Sequence, residues 1–183
     1  DMLEPYSEWF FQQDLTPLNE LAKNNPKNTD TMDNGCSTEY LHKVVEADGR
    51  HEGYPEISYS YDLKAGNLPG EFHEKYQNLS TELCTWLGAR NEAVHVYYPT
   101  NGFMSWHNNW NAPGYNILLS YTKNGGGFFK YRDPKTHEVI EMLDTPGWSC
   151  KVGYYGRGRE PDKVYYHTAG THEPRLTLGF VVP

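Results

Sequence analysis

His107, His167 and Arg175 are the residues of this sequence whose types and spacing suit chemistry. The two histidines lie 60 residues apart, and the arginine follows the second by eight. Neutral imidazoles are good donors to a borderline divalent ion such as Fe(II). A guanidinium suits a carboxylate, which it can clamp by a two-pronged bond. Together they suit a metal centre with an anionic co-substrate. A lone histidine is more often structural and an arginine at a strand start more often solvated, so the case rests on the three meeting.

Their meeting depends on the elements that carry them. His107 follows the turn Asn101-Gly102 and is expected just before a strand; His167 is expected to end the strand Val164-Tyr165-Tyr166. Arg175 opens Arg-Leu-Thr-Leu-Gly-Phe-Val-Val. Alternation there puts Arg175, Thr177 and Gly179 on one face and Leu176, Leu178 and Phe180 on the other. An arginine aimed into a barrel needs an anion, and a bound dicarboxylate would supply one. From residue 92 the apolar period becomes two. The strands predicted are 93–98, 116–121, 127–131, 139–142, 149–154, 163–166 and 175–182, separated by Gly- and Pro-containing breaks. Short strands at this spacing predict a double-stranded β-helix, a cupin-like jelly roll.

The first half reads differently. Residues 5–23 carry apolar side chains at helical spacing interrupted by Pro17, which predicts one or two short helices. Residues 24–35 read as a loop, 37–47 as a helix capped by Ser37 or Thr38, and 57–61 as a strand. Gly70 to Leu87 is the strongest helix, with Phe72, Tyr76, Leu79, Leu83 and Leu87 on one face. The expectation is one domain over 1–183, mainly β with N-terminal helices: 1–91 as helical support and 92–183 as the jelly-roll core.

Composition excludes some classes. A net charge of −8 argues against a general nucleic-acid surface. No apolar run reaches the length of a membrane span, and no signal-like segment is apparent. Three widely spaced cysteines (Cys36, Cys84, Cys150) form neither a metal motif nor a disulfide framework. A reduced, cytoplasmic setting is the expectation. The partners expected are a small-molecule or peptide substrate, with no membrane and no general nucleic-acid binding; composition is silent on oligomeric state.

At this point a family resemblance emerges. The stretch Tyr98-Pro99-x-Asn101-Gly102-x4-His107-x-Asn109 resembles the start of the iron site in 2-oxoglutarate-dependent oxygenases, especially the prolyl hydroxylase branch. The turn Gly125-Gly126-Gly127-Phe128 and the closing His167…Arg175-x-Thr177 resemble later parts of the same pattern. The resemblance covers residues 92–182, about half of the chain. It implies Fe(II), 2-oxoglutarate and O2 as cofactor and co-substrates, and His107 and His167 as iron ligands. It also implies that Arg175 and Thr177 hold the distal carboxylate of 2-oxoglutarate, with Tyr98 and Tyr121 bonding the co-substrate. Hydroxylation of a peptidyl or amino-acid side chain, releasing succinate and CO2, is the implied reaction.

One position departs from the pattern. Where the family places an Asp or Glu ligand, this chain has Asn109. The amide is neutral and a weaker donor. Asn109 ligates through its carbonyl oxygen, or leaves room for water or halide as in carboxylate-free halogenases, or the two histidines suffice, or catalysis is lost. The alternatives to a hydroxylase are therefore a halogenase-like variant and a non-catalytic cupin-like binding module. Glu173 is a remote substitute carboxylate, and His172 a rival to His167. Trp106, Trp110, Trp148, Tyr115, Tyr131, Tyr154 and Tyr155 are candidates to floor a substrate cleft. Gly156-Arg157-Gly158-Arg159 is a short basic loop.

Overall fold

The structure, a computed structural model, describes residues 1–47, 53–65, 68, 70–109, 113–156 and 160–183. Helix α1 (Leu3–Gln12) is followed by α2 (Thr16–Lys23), α3 (Met32–Gly35) and α4 (Thr38–Glu46). Pro17 sits in the first turn of α2, where its missing N–H costs nothing, so it starts a helix instead of breaking one. Ser37 caps α4 by accepting the backbone N–H of Tyr40 at 3.1 Å. Strands β1 (Ser58–Tyr59) and β2 (Tyr61–Asp62) precede α5 (Phe72–Leu87), which ends at Gly88 in the left-handed conformation that favours glycine.

The remaining strands are β3 (Asn91–Tyr98), β4 (Phe103–His107), β5 (Gly114–Thr122), β6 (Gly127–Arg132), β7 (Val139–Leu143), β8 (Gly147–Tyr155), β9 (His167–Thr171) and β10 (Arg175–Val182). They form two antiparallel five-stranded sheets, in the orders β1-β4-β9-β6-β7 and β2-β3-β10-β5-β8. Facing each other, the sheets make the expected jelly roll. The short stretch 58–62 gives one small strand to each sheet and so links them at one edge.

Four predicted elements change. Residues 32–35, expected within a loop, form α3, and the single strand expected over 57–61 is two two-residue strands in different sheets. Residues 163–166 form no strand; Pro161–Lys163 is a 3-10 turn, and the strand begins at His167. Phe103–His107, expected to lie before a strand, is itself β4. His107 thus closes a strand and His167 opens one, the reverse of the expected placement.

The alternation expected in β10 holds. Leu176, Leu178 and Phe180, all 0 % exposed, face outward onto Phe10, Leu18, Phe72 and Leu83 from the helices. Burying each such side chain contributes roughly 1.5–3 kcal/mol. A second layer, α3 and α4, covers the other sheet: Phe103 and Phe128 meet Met32 and Cys36, while Trp106 and Tyr166 meet Tyr40, Leu41 and Val44. The sheets therefore turn their inner faces to a cavity and their outer faces to helices. No described helix is long and apolar enough to cross a membrane.

Candidate functional site

The cavity between the sheets is walled by Val94, Met104, Leu118, Phe129, Tyr155 and Ala169, and its polar lining comes from Tyr98, His107, Asn109, Asn116, His167, Arg175 and Thr177. Six of the seven residues predicted for the site by the sequence, all but Tyr121, therefore line one space.

His107 and His167 are brought together by strand pairing. They are direct partners across β4 and β9, with a one-residue bulge in β4 between Met104 and His107. The bulge turns His107 onto the same inner face as Met104, three positions before it. The two rings stand 4.2 Å apart at their centroids and tilted 56°. Each is clipped to its own strand. His107 Nδ1 lies 2.8 Å from the carbonyl oxygen of Ser105, and His167 Nδ1 lies 2.9 Å from that of Tyr165. A carbonyl only accepts, so Nδ1–H is the donor in both rings, which in a neutral ring leaves the lone pair on Nε2. That is the tautomer and second contact found for ligating histidines. Burial pushes the His167 imidazolium down to a pKa of about 4, only partly offset by its carbonyl contact, so the ring is neutral at physiological pH. Phe129 and Tyr155 pack against His167 at 5.6 and 4.8 Å.

Asn109 follows with a left-handed backbone (φ 45°), a conformation asparagine tolerates better than most residues. Among the described residues no group of three His, Cys, Asp or Glu is placed to hold a metal. The donors on offer are two imidazoles and an amide. Glu173 is not a substitute carboxylate: it accepts the backbone N–H groups of Asn124 and Gly126 and the side-chain amide of Asn124, at 2.8–2.9 Å. His172 lies beside Phe128 in a separate cleft over α3, not in this cavity.

Arg175 is buried and lines the cavity, but its fork is not open. Its Nε donates to Asp144 Oδ2 at 2.7 Å, and its Nη2 donates to Ser120 Oγ at 3.0 Å and more weakly to Asp144 Oδ1. The anion that an inward arginine demands is thus supplied by the chain itself, and the two-pronged clamp on a ligand carboxylate does not hold. Nη1 alone is buried with no partner. Tyr98, paired with Arg175 across β3 and β10, lies 5.4 Å beneath the guanidinium carbon. Burial raises its phenol to about 12 against the pull of Arg175, so it keeps its proton and can donate. Thr177 Oγ1 and Ser120 Oγ are 3.3 Å apart beside it.

Tyr121 lies on the other side of the sheet. It pairs with Leu176, stacks on Phe11 at 5.1 Å and packs among the helix-facing side chains, so it cannot reach a molecule in the cavity. Position 120, one residue earlier, faces inward. Of the aromatic floor, only Tyr155 among the described residues lines the cavity. Trp106 packs on α4, Trp148 donates to Ser7 under α1, Tyr131 stacks on Tyr165, and Tyr115 and Tyr154 are exposed. Trp110 and the basic loop residues 157–159 lie outside the described residues. Asp144 and Lys151, both buried here, were missed by sequence reasoning; no local spacing announces them, since they reach Arg175 only through the fold.

The chain matches no family model and no curated protein. Among solved structures it is similar to a Pseudomonas putida prolyl-4-hydroxylase at 14% identity and TM-score 0.39, covering 79% of this chain and 85% of that one. KdgF from Halomonas sp. is similar at 14% identity and TM-score 0.30, covering 49% and 66%. The Drosophila melanogaster CENP-C cupin domain is similar at 8% identity and TM-score 0.32, covering 48% and 54%.

Proposed function

We propose that this chain is an Fe(II)- and 2-oxoglutarate-dependent oxygenase with a carboxylate-free metal site. The reaction is hydroxylation of a peptidyl or amino-acid side chain, R–H + O2 + 2-oxoglutarate giving R–OH + succinate + CO2. The observation that carries the reading is the pair His107 and His167, with rings 4.2 Å apart and each Nδ1 held by a backbone carbonyl, in a cavity shared with Arg175.

Bound Fe(II) would supply the one-electron chemistry that couples dioxygen to oxidative decarboxylation and C–H oxidation. This chain's residues do the rest. His107 and His167 would hold the ion through Nε2. Asn109 offers its amide oxygen or leaves the position to water. Arg175 meets one carboxylate of 2-oxoglutarate through Nη1, with Tyr98 and Thr177 as neighbouring hydroxyl donors. Phe129 and Tyr155 keep water away from His167.

The test is an anaerobic titration of metal-free protein with Fe(II) and then 2-oxoglutarate, followed in the visible spectrum. A weak charge-transfer band that needs both additions is expected. His107→Ala and His167→Ala should each abolish it, whereas Arg175→Ala should keep iron and weaken 2-oxoglutarate at least tenfold. Absence of bound Fe(II) at equilibrium sinks the reading and leaves a ligand-binding jelly roll in its place. Asn109 favours a second reading, in which halide takes the vacant position and the product is halogenated. A chloride requirement for turnover, shifted toward hydroxylation by Asn109→Asp, distinguishes that case.

A further inference from the structure

The geometry points to Asp144 as the residue that sets which anion the cavity accepts. By cancelling one of two buried cations, it leaves a single positive charge matched to a singly charged carboxylate group and not to a tetrahedral dianion. The inference rests on reading Arg175 as the anion anchor.

Three charged side chains meet here, each nearly sealed from water: Arg175 at 1 %, Asp144 at 5 % and Lys151 at 6 % exposed. Asp144 Oδ2 accepts Arg175 Nε, and Oδ1 accepts Lys151 Nζ. Burial alone would push the Asp144 carboxyl up, but Arg175 and Lys151 outweigh it and hold it below its usual range, so it is ionised at neutral pH. Two cations and one carboxylate sum to one uncompensated positive charge. A buried charge without a counter-ion is costly, and the site relieves that cost by taking up an anion. The place for it is Arg175 Nη1, which has no partner, on a residue lining the cavity.

Asp144 also restricts geometry. It fills the Nε–Nη2 side of the guanidinium, and Ser120 takes the remaining reach of Nη2. A planar carboxylate can dock on Nη1 through one oxygen. A sulfate or phosphate would bring a second negative charge to a site with one positive charge. Like charges in a water-poor setting repel strongly.

The test measures equilibrium binding of glutarate and of sulfate to the iron-free full chain by calorimetry, for the native protein, Asp144→Asn and Lys151→Met. The native protein should prefer glutarate at least tenfold. Asp144→Asn, with two net charges and an opened fork, should gain at least tenfold for sulfate and lose the preference. Lys151→Met, with no net charge, should lose at least fivefold for glutarate and keeps the question open to test if Asp144→Asn does not fold. Equal binding of the two anions by the native protein overturns the proposal. So does a parallel loss of both in Asp144→Asn with their ratio unchanged, or unaltered glutarate binding in Lys151→Met. Because no iron is present, selectivity found in a protein that never binds Fe(II) would remove the oxygenase reading and leave this one standing.

Discussion

His167 is neutral because it is buried, and that neutrality has a measurable consequence. Its pKa falls from 6.5 to about 4 on folding. Between those two values the unfolded chain binds the proton and the folded one does not. This contribution to stability is complete above pH 6.5 and is lost as pH falls toward 4. The shift corresponds to roughly 3 kcal/mol. Denaturant titrations of the metal-free protein at pH 7 and pH 4.5 should show the loss, and His167→Gln should flatten it. A pH-independent midpoint would contradict the burial of a neutral ring. The two histidines, Arg175 and Asn109 were legible in the sequence as a spaced pattern of residue types, although the strands expected around the histidines were misplaced. What surrounds Arg175 was not. Asp144 precedes β8, Lys151 lies within it, and Ser120 belongs to β5; only sheet pairing brings them together. The error at Tyr121 has the same root, since side chains alternate and a shift of one residue exchanges the cavity for the helix layer.

At the level of elements, β10, β3 and α5 were readable from their periodicity, whereas β4 and β9 were not. All five residues of β9 are buried, so the strand shows no alternation, and His-Thr-Ala-Gly-Thr has little apolar bulk to announce it. In β4 the bulge breaks the period of two near Ser105 and Trp106. The Gly125-Gly126-Gly127 turn was visible as a motif but not its reason. A side chain at Gly127, the first residue of β6, would press on Arg175 Nε at 2.9 Å and Cδ at 3.0 Å, in the space shared with Asp144. Gly127→Ala should therefore cost about 1–3 kcal/mol and weaken carboxylate binding as well. Thermal melts paired with glutarate calorimetry check this; a loss of stability with intact binding would place the strain elsewhere.

For the molecule as a whole, the helices of the first half do more than fill space. Phe10 of α1 is 0 % exposed and meets Phe72 and Tyr97 at ring distances of 5.3 and 5.7 Å, on the outer side of the sheet that carries Arg175 on its inner side. Phe10→Ala should lower stability by about 3–5 kcal/mol. It should leave the stoichiometry of Fe(II) uptake unchanged, because the cavity lies across the sheet. Denaturant unfolding and metal titration on the same variant separate the two effects. Loss of iron uptake under native conditions would mean that the helix layer shapes the site directly. The jelly roll was foreseeable from the count and spacing of strands. The switch of residues 58–62 from one sheet to the other was not, since two-residue strands carry no periodicity.

The direct pairing of His107 with His167 has one more consequence. The two rings face each other only when β4 and β9 are aligned with their single bulge in place. A slip of one residue along either strand would send one imidazole to the helix side. An ion that needs both rings binds the aligned chain alone and draws the population toward it by mass action. If the pair holds a divalent ion as proposed, it would act as a checkpoint on assembly: refolding in the presence of that ion would favour the alignment in which the jelly roll closes correctly over misaligned chains.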